Sequence, residues 1–190
     1  MGKVPDPVEK RLAFAYGRAL VLSRIVLFAI AFALVATLVV LAPSFPLIPA
    51  ALFLTILAAA ALLFAISPLL TEHWLTRSRL ILRQGWYFRA VLPFSEIRSL
   101  TAADETTPLR APLGIHRPLG RPTLYVTGGR TGLIIVRLEE PRRFWSSFGL
   151  GATELVFDVD DPERFLRAYE ERRRLLAPVQ TDRADADLRD

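Results

Sequence analysis

The sequence predicts a membrane-anchored α+β protein, in which a two-helix transmembrane hairpin precedes a seven-stranded β-sandwich or barrel capped by a C-terminal helix. Three observations predict this class. The run from Ile25 to Thr71 contains no charged residue. Seven short segments with strand-like patterns follow it. The last of these segments leads into a helix with a clear start signal.

The uncharged run is 47 residues long, which suits two crossings, because one helical crossing takes about 20 apolar residues. Pro43 and Pro46 divide it, so we expect spans at 21–41 and 47–70. Arginines flank both outer ends, and the link between the spans has none. The positive-inside rule therefore predicts a multi-pass protein of the plasma membrane with both termini in the cytoplasm. Because the spans lack ionisable residues, they are expected to anchor the protein rather than conduct ions.

Residues 1–20 are predicted to form a cytoplasmic N-terminal segment. Between Pro7 and Leu20 the apolar side chains share one helical face. This pattern indicates either a short interfacial helix or an extension of the first span. Arg24 is expected to reach the headgroups from the end of the first span, and Trp74, just beyond the second, to lie at the interface.

Residues 71–177 are predicted to form one small cytoplasmic domain. Its seven expected strands are 72–77, 79–83, 86–94, 97–102, 123–127, 133–138 and 154–159. Asp161 then suits a helix N-cap and Pro162 the first helical position. The side chains expected to face the core from this helix are Phe165, Leu166 and Tyr169. Residues 178–190 are polar and charged and are predicted to be disordered.

Composition argues against several kinds of chemistry. The chain contains no cysteine, which excludes disulfides, thiolate metal sites and cysteine nucleophiles. Its two histidines, His73 and His116, have no spacing typical of a metal site. No cofactor, no metal and no enzymatic activity are therefore expected. Although the net charge is +5, the patterns of nucleic-acid-binding domains are absent, so no nucleic-acid partner is expected.

Two long connections carry the candidate contact residues. The first, 104–122, interleaves four prolines with Arg110, Arg117 and Arg121. It either contacts headgroups or a partner, or covers an open side of the sandwich. The second, 141–152, places Arg142 and Arg143 beside Trp145 and two phenylalanines. Its aromatic side chains either lie at the interface or belong to the core.

The segment from Trp74 to Leu100 resembles the opening of pleckstrin-homology-like (PH-like) membrane proteins of bacteria and archaea. In that family, two transmembrane helices precede the domain. The matching positions are Leu75, Thr76, Arg79, Leu80, Gly85 and Ile97. The helix start at residues 160–165 (DDPERF) is also similar. The resemblance spans about residues 20–176. It implies two orthogonally packed sheets with a helix closing one end, and an anchoring mode, but no activity.

These observations favour a non-catalytic, membrane-tethered binding module. We expect it to engage a protein partner, of unknown identity, or to serve as an accessory subunit of a membrane complex. The alternative is an anionic-lipid-binding domain that uses the basic loops. An enzyme of unknown type is the remaining, unfavoured alternative, because no motif for chemistry is present.

Overall fold

A computed structural model describes residues 11–42, 46–103, 111–144 and 151–176. In these ranges the chain forms a helical hairpin, two β-sheets and a C-terminal helix. The α+β class, the two long apolar helices and the C-terminal helix are thus confirmed. The predicted disordered tail at 178–190 lies outside the described residues.

The first sheet contains four antiparallel strands. They are β1 (Arg11–Phe14), β2 (His73–Thr76), β3 (Arg79–Gln84) and β4 (Phe88–Pro93), and they lie in the order β1-β2-β3-β4. The tight turn between β3 and β4 places Gly85 at a φ of 63°. This left-handed conformation favours glycine because it strains any residue with a Cβ.

The second sheet contains five strands. They are β5 (Ile97–Ala102), β6 (Gly114–His116), β7 (Thr123–Thr127), β8 (Leu133–Arg143) and β9 (Gly151–Asp158), in the order β5-β8-β9-β7-β6. Strands β7 and β9 are parallel, and the other pairs are antiparallel.

All seven predicted strands are present, but the prediction of seven strands in one sandwich or barrel is corrected. The described residues form nine strands in two separate sheets rather than one closed barrel. The additional strands are β1 and β6. Strand β6 lies inside the connection predicted to be a loop, where it is only three residues long and pairs with β7.

Strand β1 also replaces the predicted N-terminal helix. Its side chains alternate, so that Phe14 is buried while Arg11 and Ala13 are exposed. It pairs with β2 along its whole length, from Arg11 opposite Thr76 to Phe14 opposite His73. The four strand residues thus bury an apolar face that a short isolated helix would have left at the surface.

The helical hairpin connects these two paired strands. Helix α1 (Ala19–Leu41) follows β1, and helix α2 (Leu47–Ala61) continues through a π-helical turn and a 3₁₀ turn to Leu70, just before β2. The α-helical hydrogen bonding ends at Ala61, and Pro68, which lacks a backbone N–H donor, lies in the final 3₁₀ turn. Both spans, 19–41 and 47–70, are long and apolar enough to cross a membrane, and the domain covers almost none of their side chains.

Apolar side chains from both sheets and from helix α3 (Pro162–Leu176) form one main core. The Asp161 carboxylate accepts a hydrogen bond from the Arg164 backbone N–H at 2.9 Å, which confirms the predicted N-cap. Phe165 and Tyr169 are buried, and Leu166 packs against the core. The Phe165 ring contacts Phe14 of β1 edge-on, with ring centroids 4.9 Å apart. The N-terminal strand and the C-terminal helix therefore belong to one folded unit.

Candidate functional site

The strand directions give the domain two distinct ends. At the hairpin-proximal end lie the turns that adjoin the hairpin, including Gly85 between β3 and β4 and Gly128 after β7. At the hairpin-distal end lie the opposite turns, such as the β8–β9 connection. Leu133 at the start of β8 pairs with Asp158, and Arg143 at its end pairs with Gly151. Both ends of β8 pair with the ends of the eight-residue strand β9, so at about 3.3 Å per residue they are about 23 Å apart.

A buried carboxylate organises the hairpin-proximal end. Asp158, fully buried, accepts hydrogen bonds from the backbone N–H groups of Gly17 at 2.7 Å and Gly128 at 2.6 Å. Burial raises the pKa of the Asp158 carboxyl, and the hydrogen bonds from Gly128 and Gly17 act in the opposite direction. The last residue of β9 thereby holds the segment that enters helix α1.

Glycines make this close approach sterically possible. A Cβ atom on Gly17 would lie 2.7 Å from the Cα atom of Gly129, and one on Gly128 would lie 2.5 Å from the Tyr16 ring. Both distances are shorter than normal van der Waals contact. The pair Gly128-Gly129 therefore packs against the start of the hairpin in addition to forming a turn.

Tyr16 links the entry of the hairpin to its exit. Its hydroxyl donates to the Pro68 carbonyl at 2.7 Å and lies 2.9 Å from the Thr71 hydroxyl. Its ring stacks on His73 of β2 with centroids 4.9 Å apart. Residues separated by 52 and 55 positions in the sequence thus close the base of the hairpin.

The contacts of Tyr16, Gly17, Gly128 and Asp158 form a hairpin junction between the helices and the domain. Within this hairpin junction, His73 is held neutral. Its Nδ1 accepts a hydrogen bond from the Arg83 backbone N–H at 3.2 Å, which assigns the proton to Nε2. Burial lowers the pKa of His73 to about 3. An uncharged imidazole that packs against Tyr16 and the Phe157 ring is suited to a structural role.

Further hydrogen bonds join both helices to the β3–β4 turn. The Arg24 guanidinium donates to the Phe64 carbonyl at 2.8 Å and to the Tyr87 hydroxyl at 2.7 Å. Arg24 was expected to reach headgroups, and it bridges the two helices instead. The Ser67 hydroxyl accepts from the Trp86 backbone N–H at 3.1 Å. The hairpin is therefore fixed to the domain on several sides.

Four of the predicted contact residues can be placed, and they lie at the hairpin-distal end. Arg117 donates to the Gly151 carbonyl at 3.0 Å, and Arg142 forms an ion pair with Glu96. Arg121 and Arg143 are exposed. Arg110 and Trp145 lie outside the described residues. The end of the domain that carries these arginines is the one farthest from the hairpin.

Headgroup contact requires exposed side chains, but both long connections have described side chains that are buried in the domain. Ala111 is buried in a small apolar cluster with Tyr125, Leu133 and Val156, on the outer face of the second sheet. The Thr127 hydroxyl donates to the Pro112 carbonyl nearby. The described end of the first connection therefore covers the sheet. In the second connection, Phe144 is buried in the main core.

The side chains that adjoin the hairpin differ from those expected. The exposed residues at this end include Arg18 before α1, Trp86 in the β3–β4 turn and Arg130 after β7. Trp74, expected at the membrane interface, lies near the start of β2 on the outer face of the first sheet, where Arg11 and Arg83 cover its ring.

Sequence reasoning missed the hairpin junction. In the sequence, Asp158 stands in an acidic stretch just before the helix, and Gly128-Gly129 belongs to a glycine-rich segment typical of a turn. Their partners lie up to 141 residues away in the sequence, so local patterns gave no signal of the contact. Among the described residues, no group of three or more histidines or carboxylates is placed to hold a metal ion.

No protein-family model, curated protein or solved structure matches the chain.

Proposed function

We propose that this protein is a non-catalytic binding module that a transmembrane hairpin holds in a fixed orientation at the cytoplasmic face of the membrane. The observation that carries the proposal is the position of the hairpin between two paired strands of the domain. A hairpin appended at a chain end would act as a tether. A hairpin inserted between neighbouring strands also restricts the tilt and rotation of the domain relative to the membrane.

The hydrogen bonds of the junction support this restriction. They join helix α1, the end of α2, the β3–β4 turn and the end of β9. A flexible linker between the membrane and the domain would let the domain move freely and take many orientations. A fixed domain instead suits a partner that also has a defined position at the membrane, such as another subunit of a membrane complex.

Charge supports the cytoplasmic orientation. Arg18 and Arg24 lie at the start of α1, and Arg77 and Arg79 follow α2 closely, while no arginine or lysine lies in the link at 42–46. Positive residues concentrate on the cytoplasmic side of short transmembrane segments. The two-sheet domain with a C-terminal helix also agrees with the resemblance to PH-like membrane proteins, which we retain as part of the proposal.

The geometry does not favour the lipid-binding alternative through the loop arginines. Arg121 and Arg143 lie at the end of the domain opposite the hairpin, about 20 Å from the expected headgroup level. A bilayer that contains the hairpin cannot reach them. A protein partner in the aqueous phase can.

Single cysteines test both orientation and partner binding, because the chain contains no cysteine of its own. In intact cells, an impermeant maleimide should label Pro46→Cys in the link and leave Arg121→Cys unlabelled until the membrane is opened. A photoactivatable maleimide attached at exposed domain positions, namely Ala13→Cys, Thr101→Cys and Arg121→Cys, should then yield a protein adduct of discrete mass. Absence of an adduct at all three positions, or the reverse labelling pattern, contradicts the proposal.

A further inference from the structure

The outer face of the first sheet is rich in arginine. Its strands direct Arg11 (β1), Arg79 and Arg83 (β3) and Arg89 (β4) away from the core, together with Trp74 of β2. None of the four strands contains an aspartate or glutamate. The carboxylates nearest to these strands in the sequence are Glu72 before β2, Glu9 before β1 and Glu96 after β4. Four strands and five residues define a patch of about 14 by 13 Å.

Within the described residues, no carboxylate pairs with any of the four arginines, Arg11, Arg79, Arg83 and Arg89. Other surface arginines do form ion pairs, since Arg137 pairs with Glu154 and Arg142 with Glu96. The first sheet therefore presents a concentrated positive charge to solvent.

The strand register increases the electrostatic cost of this face. Arg83 of β3 lies directly opposite Arg89 of β4. Like charges at directly opposed positions destabilise a sheet. A sheet optimised only for stability would place an acidic residue at one of these two positions. An external anion would relieve the repulsion between them.

Two of the arginines, Arg11 and Arg83, lie over the indole ring of Trp74. The guanidinium carbon of Arg11 lies 4.7 Å from the Trp74 ring centroid, and that of Arg83 lies 4.5 Å from it. Arg11 of β1 lies opposite Thr76. The pairing of Trp74 with Ile81, extended by two residues, places Arg83 opposite Glu72. The two arginines therefore lie on opposite sides of Trp74. Stacking holds the planar guanidinium groups while their N–H edges stay available for carboxylates.

The same arrangement disfavours other anionic occupants. Single-stranded nucleic acids bind by stacking bases on aromatic faces, and the two guanidinium groups already cover the Trp74 ring. A second copy of this face would bring four more arginines against the first four. A bilayer that contains the hairpin approaches only the proximal side of this face, near Arg83 and Arg89, whereas Arg11 and Arg79 lie at its distal side.

We infer that this arginine face docks a short carboxylate-rich segment of a partner protein. The inference rests on the proposed function, because it names the surface and the chemistry by which the module would bind its partner. The patch is small, so it suits an acidic stretch of about four to five residues in extended conformation. Because its strands run between the hairpin-proximal and hairpin-distal ends, the face lies to the side of the hairpin. A partner in the same membrane can therefore reach it.

The test uses the full chain in nanodiscs of neutral phosphatidylcholine and a fluorescein-labelled octapeptide of alternating glutamate and serine. Fluorescence anisotropy should show binding that weakens with added salt, because the contacts are electrostatic. The double variant R79E/R89E, at two exposed positions away from the Trp74 stack, should bind about tenfold more weakly or worse. The control R98E/R121E makes the same change of charge at exposed positions elsewhere and should bind like the wild type.

Three results would overturn the inference: no binding of the octapeptide by the wild type, equal weakening in R98E/R121E, or preferential binding of an oligothymidylate of equal charge. Near-UV circular dichroism of each variant is the control that checks whether the fold is intact. Each of these results leaves the proposed function standing if cysteine crosslinking still yields a partner adduct. Absence of any adduct would instead contradict the proposed function itself.

Discussion

At the scale of single residues, the junction depends on groups that are small, buried or both. Gly17 and Gly128 donate backbone hydrogen bonds to Asp158, and neither position has room for a side chain. Tyr16 and His73 fill the space beside them. These residues share no local motif, so their common role appears only when distant parts of the chain are brought together.

Gly128→Ala tests the steric part of this junction. The added methyl group would overlap Tyr16 and the Gly17 backbone, and we expect a loss of about 3 kcal/mol in the free energy of unfolding. Gly120→Ala is the matched control, because a Cβ there meets nothing within 4 Å and its φ of 77° gives only backbone strain, about 1 kcal/mol. Thermal unfolding in detergent, followed by near-UV circular dichroism, compares them. Equal losses would show that Gly128 is an ordinary turn residue.

His73 gives the junction a defined dependence on pH. Its pKa is about 3 in the folded protein, below the ordinary value of about 6.5. The unfolded chain therefore binds more protons between these values. The stabilising contribution of the neutral form is complete above about pH 6.5 and is lost as the pH falls toward 3, by up to about 1.4 kcal/mol per pH unit.

The variant His73→Phe should remove this dependence. We expect the melting temperature of the wild type to fall more steeply than that of the variant between pH 6.5 and 4.5. Asp158, whose pKa is raised by burial, contributes with the opposite sign, since its stabilising effect is lost as the pH rises. It is present in both proteins, so the difference between them isolates His73. Identical slopes would contradict the buried, neutral state of His73.

At the scale of elements, the sequence predicted the strands that are apolar runs bounded by turn signals and missed the short ones. Segments such as β3 and β8 contain apolar runs next to clear turn signals, and both begin where they were predicted. Strand β8 continues beyond its predicted end at residue 138 to Arg143, into the segment predicted to be a connection. Strand β1 has four residues within a segment whose apolar positions also fit a helix. Strand β6 has three residues among prolines. Both depend on pairing with a neighbouring strand, which local patterns do not reveal.

The candidate site was less predictable than the fold. Arg117, Arg121, Arg142 and Arg143 were selected because they lie near aromatic or proline-rich segments, and the structure places them at the hairpin-distal end. The arginines of the first sheet lie among core residues in ordinary strands, so no local pattern distinguishes them. Their combined charge emerges only when β1, β3 and β4 come together around Trp74.

At the scale of the whole molecule, the central feature is that the hairpin lies within the folded domain in sequence. Strand β1 precedes the hairpin, β2 follows it, and the two strands pair. The apolar helices and the domain are therefore coupled through two chain crossings and the contacts around Asp158. In the proposed setting, this coupling fixes which face of the domain meets the bilayer and which faces meet partners.

The most direct test of this account is to remove the hairpin while keeping β1. In one variant, residues 11–17 are joined to residues 71–176 through a glycine–serine linker of about six residues, which spans roughly 13 Å. The comparison is the fragment 71–176 alone, which lacks Phe14, Tyr16 and Gly17. Thermal unfolding of both in aqueous buffer is followed by near-UV circular dichroism. We predict a soluble domain with cooperative unfolding for the joined variant, and a lower melting temperature or no cooperative transition for the fragment. Equal stability of the two would contradict the claim that the hairpin is an insertion between paired strands of one domain.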